Sequence, residues 1–163
     1  MVRSGGMPGG VLVNSSFGEL EVSSGAANDF SIETLEGEIL DLSDLRGKIV
    51  MLDFWSSWCP PCRAEASDLE LVSREYRDLG VEFVGIAIWD REEDVRSFLN
   101  RYHVSYINGL DKYGLIAVDY GVRGIPEKYF IDREGNLARK FIGPMGLEDL
   151  EEVLDQLLVN RKK

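Results

Sequence analysis

Apolar and polar positions alternate in "DFSIETLEGEILDL" (29–42), and strand side chains point to opposite faces in turn, so this segment predicts a β-hairpin turning at Glu36-Gly37. "SDLRGK" supplies a short turn after it. "IVMLDFW" (49–55) is apolar on both sets of alternate positions apart from Asp53, the pattern of a strand buried on both faces. Leu69, Val72, Tyr76 and Leu79 then recur at helical spacing, predicting a helix of about five turns closed by Gly80. "VEFVGIAIW" (81–89) reads as a second buried strand, and Val95, Phe98, Leu99 and Tyr102 mark a second amphipathic helix.

"SYING" fits a short strand, while "DKYGLIAVDYGV" has no clear period. "EKYFID", the turn "REGN" and "LARKFIG" form an expected antiparallel hairpin, and Leu147, Leu150, Val153, Leu154, Leu157 and Leu158 predict a closing helix. Parallel crossovers followed by a hairpin and a terminal helix imply an α/β sandwich with a mixed sheet. Residues 1–26 contain six glycines and five serines and only short apolar pieces, so they read as a flexible tail or added hairpin, with one domain over 27–161.

Composition narrows the function. At 163 residues and 44% apolar the chain has a core for one domain. The net charge of −11 disfavours nucleic acid and anionic membrane surfaces as partners. The sequence has no run approaching the roughly 18 apolar residues of a membrane span, and "MVRSGGMPGG" lacks the apolar stretch of a signal peptide; a removed leader or anchor would leave no trace. Cys59 and Cys62 are the only cysteines and His103 the only histidine, too few for an ordinary zinc site, so neither metal nor cofactor is expected and His103 reads as structural.

A Cys-Xaa-Xaa-Cys unit at a helix start places its first sulfur near the N-cap, where amide donors and the helix dipole favour thiolate. Cys59 is therefore the expected nucleophile. Pro60 and Pro61 lack N–H groups and stiffen the ring, which leaves the Cys62 N–H as the donor to Cys59 sulfur and Cys62 as the resolving thiol.

At "FWSSWCPPCRAE" the chain resembles the thioredoxin superfamily, in particular its TlpA-like branch, the thioredoxins of cytochrome c maturation. "DFSIETLEGEILDLSDLRGKIVMLDFWSSWCPPC" resembles that branch's opening and "YGVRGIPEKYFIDREGN" its second half, and the likeness extends from about Asp29 to Val159. It implies a three-layer α/β/α sandwich with a mixed central sheet and an added N-terminal β-hairpin. It also implies that Pro126 is cis opposite the cysteines, with the Ile125 backbone offered to an extended substrate segment. Trp58, Pro60, Pro61 and Trp89 join Ile125 and Pro126 as expected substrate-groove residues; Asp90 is a groove candidate with Trp89, and packing and a helix cap are the alternative for those two.

Asp53 occupies the place of thioredoxin's buried acid, so its pKa should be raised and it should accept the Cys62 proton; the alternative is pairing with Lys48 or a nearby polar group. Glu65 lies on the cysteine face of the helix and resembles an acid used near this family's cysteines, or else it stabilises the helix start. Glu127 follows Pro126, as in the DsbE-like pattern, either opposing the Cys59 thiolate or facing solvent. Ser67 replaces a helix-kinking proline common in the family, which implies a straighter helix.

The resemblance implies a thiol-disulfide oxidoreductase, a reductant as in cytochrome c maturation, acting on disulfide-containing proteins and served by a separate thiol reductant. A general thioredoxin-type reductant and a non-catalytic redox-sensing binding module are the competing readings; the CxxC pair and Pro126 fit exchange better than peroxide reduction. A monomer is expected. The resemblance favours an extracytoplasmic location, periplasmic or from a membrane-anchored precursor, while a cytoplasmic one stays open.

Overall fold

The computed structural model describes residues 12–14 and 16–160; residues 1–11 and 15 of the expected tail, and 161–163, lie outside these. The first elements are two short strands, β1 (Leu12–Val13) and β2 (Gly18–Leu20), which do not pair with each other. Next come β3 (Ser31–Glu33) and β4 (Ile39–Asp41), the antiparallel hairpin that the alternation around Glu36-Gly37 predicted. Leu42–Leu45 is one turn of 3₁₀ helix. The chain continues through β5 (Ile49–Trp55), α1 (Pro60–Arg77), β6 (Val81–Ile88), α2 (Glu92–Arg101), β7 (Ile107–Asp111), α3 (Leu115–Asp119), β8 (Gly124–Ile125), β9 (Glu127–Ile131), β10 (Leu137–Ile142) and α4 (Leu147–Val159).

The main sheet runs β2-β10-β9-β5-β6-β7, with β5, β6 and β7 parallel and β9 and β10 antiparallel to their neighbours. β5 is central and all seven of its residues are buried, as its unbroken apolar pattern requires. Its alternate positions serve different layers. Val50, Leu52 and Phe54 join the cluster under the β3–β4 hairpin, α2 and α3, whereas Ile49 and Met51 pack with Leu69, Val72 and Tyr76 of α1 and Leu150, Val153 and Leu154 of α4. Asp53 shares the parity of Ile49 and Met51, so its side chain belongs to the α1 layer.

α1 is one unbroken helix, with Ser67 exposed on it. The unperiodic "DKYGLIAVDYGV" holds α3, one short turn of helix whose Ile116 and Ala117 N–H groups donate to the buried Asp111 carboxylate at 3.4 and 3.0 Å. Five residues are too few to show a 3.6-residue period. Within the expected tail, β1 runs parallel to β8 and β2 antiparallel to β10, so this segment is built onto the domain's strands.

The N-terminal side supplies one lateral edge of the main sheet and contacts the other. β2 adds to β10 at one edge, with the Glu19 carboxylate paired to Arg139 at 2.7 Å. At the other, Thr34 bridges Gly109 of β7 and the Leu35 N–H donates to the Asn108 carbonyl at 3.0 Å. Gly85 lies where β6 passes Asn108: a Cβ there would stand 1.9 Å from Asn108 Oδ1, the atom that accepts the Trp55 indole N–H at 3.0 Å.

Candidate active site

Cys59 is the N-cap of α1, and the Cys62 N–H donates to its sulfur at 3.3 Å, as the two donor-less prolines dictate. The two cysteines form a disulfide with a Cα–Cα distance of 5.3 Å. Both are buried, Cys59 fully, while Pro60 is exposed and Pro61 half-buried.

The approach to Cys59 is held residue by residue against the end of β6. The Ser56 hydroxyl donates to the Ile88 carbonyl, and the Ser57 N–H and hydroxyl donate to the two Asp90 oxygens at 2.6 and 2.9 Å. The Trp58 indole N–H donates to the Trp89 carbonyl at 3.1 Å. Asp90 also accepts the Arg91 N–H at 2.9 Å. Trp89 therefore holds Trp58 through its backbone, at a left-handed φ of 50°, and leaves its ring 40% exposed beside the motif. Trp58 is half-buried and packs on the core that contains Cys59.

Beneath the motif lies a buried ionic cluster centred on Lys128. Antiparallel register puts Lys128 of β9 directly opposite Asp53 of β5, on the α1 side of the sheet. Its ammonium donates to Asp53 Oδ1 at 3.0 Å and to Glu65 Oε1 at 2.6 Å, and Glu65 also accepts the Met145 N–H at 2.8 Å. All three side chains are at most 3% exposed. Lys48 is not the partner of Asp53; it lies at the surface, 3.5 Å from Glu82.

Two carboxyls and one ammonium would leave a net negative charge in a dry interior, so the cluster is most stable holding one extra proton. Burial pushes the Asp53 carboxyl upward, against the attraction of Lys128. Burial likewise raises Glu65, to about 7, with Lys128 opposing and Asp53 adding to the rise. Burial pulls Lys128 down, yet the two carboxylates outweigh it and keep the ammonium charged. With both raised by burial and sharing one ammonium, the carboxyls titrate as a pair. Asp53 and Cys62 line one small cavity with Trp55, Ala66, Leu69, Phe98, Leu99 and Tyr106; it has about 10 Å³ of room for a water centre, close to one molecule. The Tyr106 phenol, in the same cavity, is kept protonated by burial and by Asp53 and Glu65.

Glu127 does not join this cluster, because its neighbour Lys128 takes the opposite face of β9. Nor does it face solvent: it is buried, accepts the Tyr129 hydroxyl at 3.1 Å and the Arg123 N–H at 3.4 Å, and lies 3.7 Å from Lys140. Its negative charge is thus spent on its own strand and its neighbour β10. The Ile125–Pro126 peptide is cis, with Ile125 in the same core cluster as Cys59 and Cys62. His103, two residues beyond α2, is exposed at a left-handed φ of 54°.

Lys128 and the Ser57–Asp90 contact are absent from the sequence-based site. A lysine between Glu127 and Tyr129 reads as a strand's polar face; the usable signal was its position two residues after Pro126, on a strand predicted to pair beside the strand of Asp53.

A Cys-Xaa-Xaa-Cys disulfide at a helix start, a cis-proline strand and a buried acid on a mixed sheet define a thioredoxin-fold redox protein. The chain belongs to the AhpC/TSA family, whose model matches residues 24–140. It is 38% identical over 131 residues to the thioredoxin-like protein YneN of Bacillus subtilis, covering 79% of this chain and 76% of that one. It is 33% identical to the thiol-disulfide oxidoreductase ResA of Bacillus thuringiensis, covering 80% and 76%. A secreted Mycobacterium tuberculosis disulfide oxidoreductase homologous to E. coli DsbE superposes with a TM-score of 0.72 at 32% identity, covering 78% of this chain and 96% of that one.

Proposed function

We propose that the chain is a thiol-disulfide oxidoreductase that reduces disulfides in other proteins, with Cys59 and Cys62 as its only redox group. The Cys59 thiolate attacks one sulfur of a substrate disulfide, forming a mixed disulfide and releasing one substrate thiolate. Cys62 then gives up its proton and attacks Cys59 sulfur, which closes the Cys59–Cys62 bond and releases the second substrate thiolate. Two electrons pass to the substrate, whose two thiolates take up protons from water, and a separate thiol reductant reopens the pair.

The observation that carries this reading is the cavity shared by Cys62 and Asp53, above a carboxyl pair whose hold on a proton burial strengthens. Such a pair takes a proton from Cys62 when the disulfide closes and returns it when the disulfide opens. Asp53 is the catalytic acid and base; Glu65, acting through Lys128, is a positioning residue. Glu127, far from an obvious role in proton transfer, acts by fixing β9 behind Pro126. Trp58, Trp89, Pro60 and Pro61 frame the groove, and Ile125 supplies its backbone edge.

No described helix is long and apolar enough to cross a membrane. An extracytoplasmic setting and a monomeric protein complete the proposal, the first supported by the secreted relative. The test is twofold. A Cys62→Ser variant is expected to trap protein substrates covalently through Cys59, which a redox-sensing module would not do. Equilibration with dithiothreitol is expected to place the potential nearer thioredoxin's about −270 mV than the about −120 mV of the oxidant DsbA. A value at the oxidant end overturns the reductant direction.

A further inference from the structure

The Ile125 backbone, on which the proposed function relies for holding substrate, is already engaged by the chain itself. Among the described residues, β8 (Gly124–Ile125) forms a separate two-stranded parallel sheet with β1, in the register Leu12 to Gly124 and Val13 to Ile125. The Asn14 N–H donates to the Ile125 carbonyl at 2.8 Å, and the Asn14 side-chain amide donates to the Pro126 carbonyl at 2.9 Å. Val13 is half-buried and packs on the core cluster that contains Cys59, Cys62 and Ile125. Cys59 is fully buried.

We propose that residues 12–14 are an intramolecular pseudosubstrate, an extended strap that occupies the cis-proline edge beside Cys59 and must be displaced by the extended segment of a protein substrate. The contact has the parts of peptide recognition by strand addition: backbone pairing supplies attachment, one apolar side chain enters the core, and one amide reads a carbonyl next along the edge. It is small enough to open, being two strand residues and two hydrogen bonds to a single asparagine. A tethered segment competes at a high effective concentration, so it raises the substrate concentration needed for half-saturation without changing the chemistry once substrate is seated. A displacing segment is expected to carry an apolar residue followed by one with a side-chain donor.

The test uses the full chain. Asn14→Pro removes both donor groups at once, and Asn14→Ala removes only the side-chain amide. For reduction of a protein disulfide, Asn14→Pro is expected to lower KM by up to about tenfold, equivalent to about 1.4 kcal/mol of strap attachment, with kcat unchanged. Asn14→Ala should fall between the two. In the oxidised protein, dithiothreitol should open Cys59–Cys62 faster in Asn14→Pro than in wild type. A cysteine-free peptide of sequence VLVNSS should inhibit the Asn14→Pro form competitively and the wild type less. Equal KM values, or equal dithiothreitol rates, in wild type and Asn14→Pro overturn the strap. If neither form turns over protein disulfides, the proposed function fails while the dithiothreitol comparison still decides the strap.

Discussion

Asp53, Glu65 and Lys128 set the chemistry at the scale of single residues, and only part of that trio was legible in the sequence. Asp53 stood out as one acid in an apolar strand, and Glu65 by its spacing from Cys62. Lys128 did not, because strand alternation makes a lone lysine read as solvent-facing and only the β5–β9 register brings it under the helix. Removing that ammonium strands two buried carboxyls, so Lys128→Met should lose about 3–5 kcal/mol at pH 7 in urea unfolding, with part of the loss recovered in acid as the carboxyls protonate. The pH dependence of the intact protein has a definite sign. Glu65 holds its proton up to about 7 when folded, against an ordinary 4.5, so the folded state binds a proton that the unfolded chain has released between those values. That stability is fully present below about pH 4.5 and declines as pH rises through about 7, by up to about 3 kcal/mol. In Glu65→Gln the remaining Asp53–Lys128 pair is neutral without an added proton, so unfolding free energies measured from pH 4.5 to 7.5 should follow a flatter curve. Asp53→Asn removes the group nearest the shared cavity; stopped-flow measurement of mixed-disulfide resolution should show slowing on the order of 10²-fold.

Among the elements, the long ones followed from periodicity: β5, β6, α1, α2 and α4 carry unbroken apolar faces, and their order alone implied the sandwich. What periodicity misses is how the ends of elements are joined. The corner in which Ser56, Ser57 and Trp58 bind Ile88, Trp89 and Asp90 is made of one contact per residue between segments 31 to 33 positions apart, and nothing in either segment announces the other. Asp90 fits a helix-cap reading in sequence, yet two of its three accepted hydrogen bonds come from Ser57. Asp90→Ala should therefore cost about 2 kcal/mol in urea unfolding and also speed alkylation of Cys59 in the reduced protein, a second effect that a simple helix cap would not produce. Between β6 and β7, Gly85→Ala would drive a methyl into Asn108 and break its bond to Trp55. A loss of about 1–3 kcal/mol, with a change in tryptophan emission, is expected on thermal unfolding.

For the molecule as a whole, the charge of −11 governs encounters more than folding. Exchange with a cationic disulfide peptide should slow as salt rises and exchange with an anionic one should quicken, a contrast that initial rates at about 20 and 200 mM salt would reveal. The N-terminal segment is where whole-molecule reading departed most from sequence reading: its glycine and serine content resembles a tail, but its contacts are with β8 and β10, more than 100 positions away. Through β2 and the Thr34 bridge, the first 41 residues also end the main sheet on one side and cap β7 on the other. An open β10 or β7 would offer a row of unpaired amides and carbonyls to the same strand of another molecule. With β10 sheathed by a three-residue strand whose acid is already paired, and β7 by a hairpin, chain-to-chain strand stacking has little to start from. The segment that leaves the sheet with so short an edge thus guards the protein against self-templated aggregation.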